Sequence, residues 1–186
     1  MDKTIIRLQD YAGYIINALG KNGVLLTTAA DGKVNSMTIG WGTLGINWST
    51  PVFTVYVRKS RFTKELLDKN PEFTINVPAK DPVKKILALC GTKSGRDIDK
   101  IREAGLTLVE PERVNVPGIK ELPLTIECRV IYRQEQDIAF LDEELSERCY
   151  PLIETPDGPV RDTHITYYGE IQTAYVITDP DPEKAE

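Results

Sequence analysis

Arg58, Lys59 and Arg61 lie close together, with Ser60 between them and Thr63 just beyond. Guanidinium groups can hold a phosphate through two parallel hydrogen bonds, and hydroxyl and backbone N–H donors complete its shell. Such a group is the material of an anion seat; taken alone, it is also what an ordinary solvated surface looks like. The flanking elements sharpen the choice. Val52, Phe53, Val55, Tyr56 and Val57 form a β-branched and aromatic run that predicts a buried strand. Ser60 is the expected N-cap of a helix carrying Phe62, Leu66 and Leu67 at helical spacing, and Asn70 before Pro71 ends it. The cations therefore gather where a strand ends and a helix begins. Free backbone N–H groups and the positive end of the helix dipole favour an anion there, and cations without one would oppose the dipole.

A second candidate surface is Asn35-Ser36-Met37-Thr38, on the strand leaving an Asp31-Gly32 hairpin. Ser36, Thr38 and Gly40 alternate onto one face, a small polar surface able to hydrogen-bond a ring edge, or simply a solvent-facing strand. Gly40 to Gly45 matches GxGxxG, but Ile46, Trp48 and Pro51 follow with no helical period. The dinucleotide fingerprint needs those glycines to open a helix, so a Rossmann site is rejected. Cys90 sits on a helical stripe with Val83, Ile86 and Leu87, where a packed core thiol is the default. A helix C-terminus also disfavours a thiolate. His164 reads as a structural hydrogen-bonder or a pocket residue and is not assigned as an acid.

The 186 residues suffice for one domain with a sizeable core. A net charge of −5 argues against a general nucleic-acid binder. No stretch approaches the length of a membrane span, and the first residues show no secretory apolar run. Three separated cysteines without a CxxC pair fit reduced thiols in a cytosol, and a single histidine leaves a multi-histidine metal site without ligands.

In chain order, Leu8 to Leu19 carries a helical stripe, including Ile15 and Ile16, closed by Gly20. Strands are expected over 23–30 and 33–41 around the Asp31-Gly32 turn. Another covers Phe73, Ile75 and Val77, with Thr74 and Asn76 on a polar face. Asp81-Pro82 should start the helix of Cys90, which Gly91 ends. Ser94 and Asp97 look like a capping box for a short helix that Gly105 closes. Leu124 to Tyr132 alternates as a half-buried strand, a short helix falls near 143–148, and His164 to Ile177 is the last strand. Six or so strands with helices between and around them describe a mainly β barrel with helical insertions. One domain over 1–178 and an acidic, disordered tail over 179–186 complete the expectation.

Several pieces recur in a familiar order: Asn35 to Thr38 with Gly40-Trp41-Gly42; Trp48-Ser49-Thr50-Pro51; Val57-Arg58 with Arg61-Phe62-Thr63; Phe73 to Asn76. Cys90-Gly91, Ser94-Gly95-Arg96-Asp97 with Asp99-Lys100, Gly105-Leu106-Thr107 and Glu127-Cys128-Arg129 follow. As an ordered set over residues 22–177, they resemble the flavin reductase-like family, and within it the flavoredoxin-type proteins. The resemblance implies an FMN-binding, Greek-key-like split β-barrel and a homodimer with the flavin at the subunit interface. It places Asn35, Ser36, Met37 and Thr38 at the isoalloxazine edge, beside Trp48, Ser49 and Thr50. Arg58, Lys59, Ser60, Arg61 and Thr63 would hold the phosphate; Asn76, Cys90, Ser94, Gly95 and Lys100 would lie against the flavin or ribityl chain.

The implied function moves electrons from a transiently bound NADH or NADPH through FMN to an acceptor, in the cytoplasm, with a redox partner protein as one recipient. Two alternatives stand beside it: an electron carrier with tightly held FMN and no nicotinamide turnover, and a non-redox module for another phosphorylated ligand.

Overall fold

A computed structural model describes residues 1–79, 83–156 and 158–179. Ten strands and five α-helices are found among them: β1 Asp2–Ile5, α1 Ala12–Lys21, β2 Val24–Ala30, β3 Lys33–Ile39, β4 Gly42–Asn47, β5 Thr50–Arg58, α2 Phe62–Lys69 and β6 Glu72–Val77. After these come α3 Lys84–Thr92, α4 Lys100–Glu103, β7 Leu108–Val109, β8 Gly118–Ile119, β9 Leu124–Glu135, α5 Glu143–Cys149 and β10 His164–Thr178. One sheet has the order β3-β2-β6-β9-β10-β5-β4, with β1 added to β10, and these pairings are antiparallel. The hydrogen-bonded path ends at β3 and β4, so the sheet is split between two strands that are consecutive in the chain. Strands β6, β9, β10 and β5 lie side by side in that order, a Greek-key arrangement.

Turn chemistry sets the two hairpins. Asp31 and Gly32 both take positive φ, 50° and 72°, as a two-residue primed turn requires. Trp48 and Ser49 do the same at 49° and 60°, without a glycine. Asn47 Oδ1 accepts from Trp48 N at 3.0 Å and steadies that turn.

The core forms where inward faces of β2, β5, β6, β9 and β10 meet, around Leu26, Phe53, Val55, Phe73, Ile75, Ile126 and Tyr167. The expected polar face of β6 is buried as well, and on β9 so are Thr125 and Glu127, while Arg129 is exposed. Asn76 donates to Thr27 and Thr74 hydroxyls, each at 3.0 Å, and accepts from Ile119 N and Thr125 Oγ1. Glu127 is fully buried and accepts from the backbone N–H groups of Glu112, Arg113 and Val114 at 2.7, 2.6 and 3.2 Å. The connection carrying Pro111 and Pro117 is thus strapped over the sheet. A carboxylate satisfies N–H groups that no strand partner reaches.

Several boundaries differ from the sequence expectation. Gly20 lies inside α1, and Gly23, at φ 85°, takes the left-handed position after it. Ile15 is buried while Ile16 faces solvent. Gly91 falls within α3, where a Cβ would lie 3.4 Å from that of Thr38. Asp99, not Ser94, caps the short helix by accepting from Arg102 N at 3.1 Å. Strand β1 went unexpected because only its pairing with β10 makes DKTI a strand. The Asp81-Pro82 start signal and the tail beyond residue 179 lie outside the described residues.

Candidate functional site

A cleft opens where β3, the loop between β5 and α2, and the segment from α3 to α4 converge. Its inner part is lined by Asn35, Met37, Thr38, Arg61, Thr63, Cys90, Ser94, Gly95 and Lys100, with Ser60, Phe62, Gly91, Lys93 and Arg96 around them. Sharing Met37, Thr38 and Arg61, it continues outward to Trp41, Tyr56, Arg58 and His164. Among the described residues, no Asp or Glu lines either part.

The cations divide into two kinds. Arg58 is committed to structure: its guanidinium donates to the carbonyls of Asp162 and Cys149 at 2.6 and 2.9 Å and lies over the Tyr150 ring. Lys59 turns out of the cleft to Glu135 at 2.6 Å. Ser60 does not cap α2; its hydroxyl donates to Asp162 Oδ2 at 2.6 Å because that carboxylate also accepts from Ser60 N. Arg61 is different: its guanidinium makes no hydrogen bond or ion pair among the described residues, and no side chain caps the helix it precedes. Lys100 is buried at 5% exposure and, among the described residues, donates only to the carbonyls of Ser36 and Cys90, at 3.1 and 2.9 Å. Burial lowers its pKa, the Cys90 sulfur opposes that, and Arg61 lowers it further. A buried ammonium held by neutral oxygens and facing a second cation lacks the counter-charge that such groups normally have.

Beside these cations, Asn35 donates to Thr63 Oγ1 at 3.0 Å, while its buried Oδ1 has no partner among the described residues. Gly95 lies directly against it: an added Cβ would fall 2.1 Å from that oxygen and 2.8 Å from the Phe62 ring. Only a residue without a side chain lets this loop approach. Burial raises the pKa of Cys90, and Lys100 only partly offsets it, which leaves a protonated core thiol. His164 is 6% exposed, bonded through Nδ1 to the Tyr150 hydroxyl at 2.8 Å, with the Trp41 ring tilted against it at 5.2 Å. Burial and the adjacent Arg58 lower its pKa to about 4, so the imidazole is neutral at pH 7.

The structure thus brings together Asn35, Met37, Thr38, Arg61, Thr63, Cys90, Ser94, Gly95 and Lys100, with Ser60 at the rim. Besides Lys59, turned out to Glu135, and Arg58, which lines only the outer part, five others do not join them. Ser36 shares a strand face with Thr38 but does not reach the cleft: it is fully buried, its hydroxyl 2.8 Å from that of its cross-strand partner Thr27. Asn76 has its amide used up in the network described above. Trp48, Ser49 and Thr50 form the turn at the far end of β4 and β5, with Trp48 against Tyr132 and Tyr168. Lys93, Arg96, Trp41 and Tyr56 line the cleft and were not selected from sequence. Arg96 stood inside a quoted motif, and its pairing with Glu65 at 2.5 Å has no sequence signature.

The model of the flavin reductase like domain matches residues 18–184, and the chain belongs to that family. A flavoredoxin from Methanosarcina acetivorans is 30% identical, with a TM-score of 0.61 over 88% of this chain and 75% of that one. A flavin reductase with a split barrel domain from Shewanella frigidimarina is 18% identical at TM-score 0.64, over 94% and 76% of the two chains, and shares the split-barrel fold. A protein of Archaeoglobus fulgidus is 36% identical over 103 residues, 55% of this chain. The match spans 57% of that relative's own length. No helix among the described residues is long and apolar enough to cross a membrane.

Proposed function

We propose that the cleft binds FMN and that the protein moves electrons from reduced nicotinamide through it to an acceptor. The observation that carries this reading is the pairing of Arg61 with Lys100, two cations without a carboxylate, at the uncapped start of α2. A phosphate supplies the missing charge, and the first-turn N–H groups supply donors. The hydrogen-bonding groups fit the rest of the cofactor too: the Thr63 and Ser94 hydroxyls and the unpartnered Asn35 oxygen, an acceptor, suit a polyhydroxyl chain, and Met37, Thr38 and Trp41 suit a flat ring.

In that reading Arg61 and Lys100 hold the phosphate, and Arg58 braces the loop around residues 149 and 162 instead of chelating it. Gly95 lets the loop close against Asn35. Neutral His164 keeps a second positive charge away from Arg58. Bound FMN supplies the redox chemistry, accepting a hydride and releasing electrons, and the chain supplies orientation and electrostatics. Turnover draws on NADH or NADPH held transiently, in the cytoplasm, with a small molecule or a redox protein as recipient.

The working unit in this proposal is a homodimer. Trp48 sits at positive φ and is 58% exposed, next to Tyr132 and Tyr168. A bulky residue held in that conformation at a surface is the kind of strain that binding sites retain. The hairpin does not reach the cleft of its own chain, so any contact with flavin is with that of a second copy.

Fluorescence titration with FMN and with riboflavin tests the reading. Arg61→Ala is expected to weaken FMN by about 10- to 100-fold, as loss of a charged hydrogen bond implies, and to leave riboflavin nearly unchanged. Equal losses for both would mean that Arg61 does not hold a phosphate. Anaerobic mixing of the FMN-loaded protein with NADH or NADPH then separates a reductase, whose flavin bleaches, from a carrier, whose flavin does not. Sedimentation tests the dimer, and a monomer that keeps its flavin would exclude the shared arrangement.

A further inference from the structure

We propose that the apolar cavity beside the cleft binds a neutral, planar, quinone-type carbonyl compound as electron acceptor, an inference that rests on the FMN reading above. The cavity holds about 390 Å³ between the segment from Gln136 to Leu145, Tyr150 and the outer cleft. That volume is at the scale of a small-molecule site. Trp41 and Tyr56 line both this cavity and the outer cleft, so the two spaces are contiguous.

The lining selects the class of occupant. Trp41, Tyr56 and Tyr150 give aromatic walls, with Phe140, 90% exposed, at the open mouth, and such a lining favours a flat ring. No Lys, Arg or His is among the lining residues, and Asp137 adds a negative charge, so carboxylates and dinucleotides are disfavoured. Beside Asp137 the polar lining includes one neutral donor. Gln136 Oε1 is taken by the Tyr150 hydroxyl at 2.6 Å, which leaves the amide N–H groups of Gln136 without a partner among the described residues. They suit a carbonyl oxygen. The quinone gains two electrons and two protons: a hydride from fully reduced flavin and one proton from solvent. Hydroquinone and oxidised flavin are left.

Cys149 supplies a readout, because it lines the cavity and is the one cysteine of three that is not buried. The full chain, stripped of flavin, is treated with iodoacetamide in the presence of tetramethyl-1,4-benzoquinone, whose substituted ring cannot add a thiol. Mass spectrometry follows alkylation of Cys149. Saturating quinone is expected to slow alkylation markedly, and Leu145→Phe, which narrows the cavity, is expected to raise the half-protecting concentration by about tenfold. FMN titrations run on both proteins show whether the fold and the cleft are intact. Absent protection in protein that takes up FMN would overturn the cavity assignment, as would unchanged protection in Leu145→Phe. Protection in protein that fails to take up FMN would overturn the acceptor role and the flavin reading together.

Discussion

Acidification should destabilise this protein through His164 before most of its carboxylates are protonated. In the folded state the imidazole titrates at about 4, held down first by burial and then by Arg58, with Asp162 opposing and Arg61 adding to the effect. In the unfolded chain it titrates near 6.5. Between those values the unfolded chain takes up a proton that the folded protein refuses, so stability is full above pH 6.5 and falls as pH drops toward 4. At about 1.4 kcal/mol per pH unit, the loss approaches about 3 kcal/mol, a large share of a typical domain's stability. Urea unfolding of the flavin-free protein at several pH values between about 7.5 and about 4.5 measures it. His164→Gln keeps an amide able to meet the Tyr150 hydroxyl and removes the titration, so its stability should change far less over the same range. Parallel pH dependences for the two proteins would refute the assignment to His164.

Two further expectations concern buried charge. Glu127→Gln replaces an oxygen that accepts backbone N–H groups with an amide that donates, and should cost about 2–4 kcal/mol in urea unfolding by freeing the strap at residues 112–114. Lys100→Met removes an ammonium that burial disfavours but orphans two carbonyls, so unfolding of the flavin-free protein should change by only about 1 kcal/mol. FMN titration of the same variant should weaken by about tenfold or more, and an unchanged affinity would take Lys100 out of the anion seat.

Local signals in the sequence were enough for most elements. The Asp31-Gly32 turn, the run from Val52 to Val57 and the helix after Arg61 depend on neighbours in the chain, and the structure has them nearly where the residues place them. Buried polar groups were harder to read. Alternation along Leu124 to Tyr132 looks identical whether Glu127 meets water or the backbone of residues 112–114, and only the folded connection decides. The anion seat was half legible for the same reason. Arg58, Lys59 and Arg61 are adjacent in sequence, yet each is assigned its partner by a distant element: the carbonyls of 149 and 162, Glu135, or none. Lys100 was indicated by resemblance, and its lack of a carboxylate partner emerged only from burial.

Strand β10 carries a consequence for how the chain is made. It pairs with β1, β5 and β9, so the middle of the sheet cannot assemble until His164–Thr178 has been synthesised. Strand β5 precedes it by about 100 residues, a delay of about 5 s or more at ordinary rates of translation. Throughout that interval β5 has only β4 beside it, and an apolar strand edge stands open to other nascent chains. Yield of folded protein should therefore depend on temperature, expression rate and holdase chaperones more than its final stability would suggest.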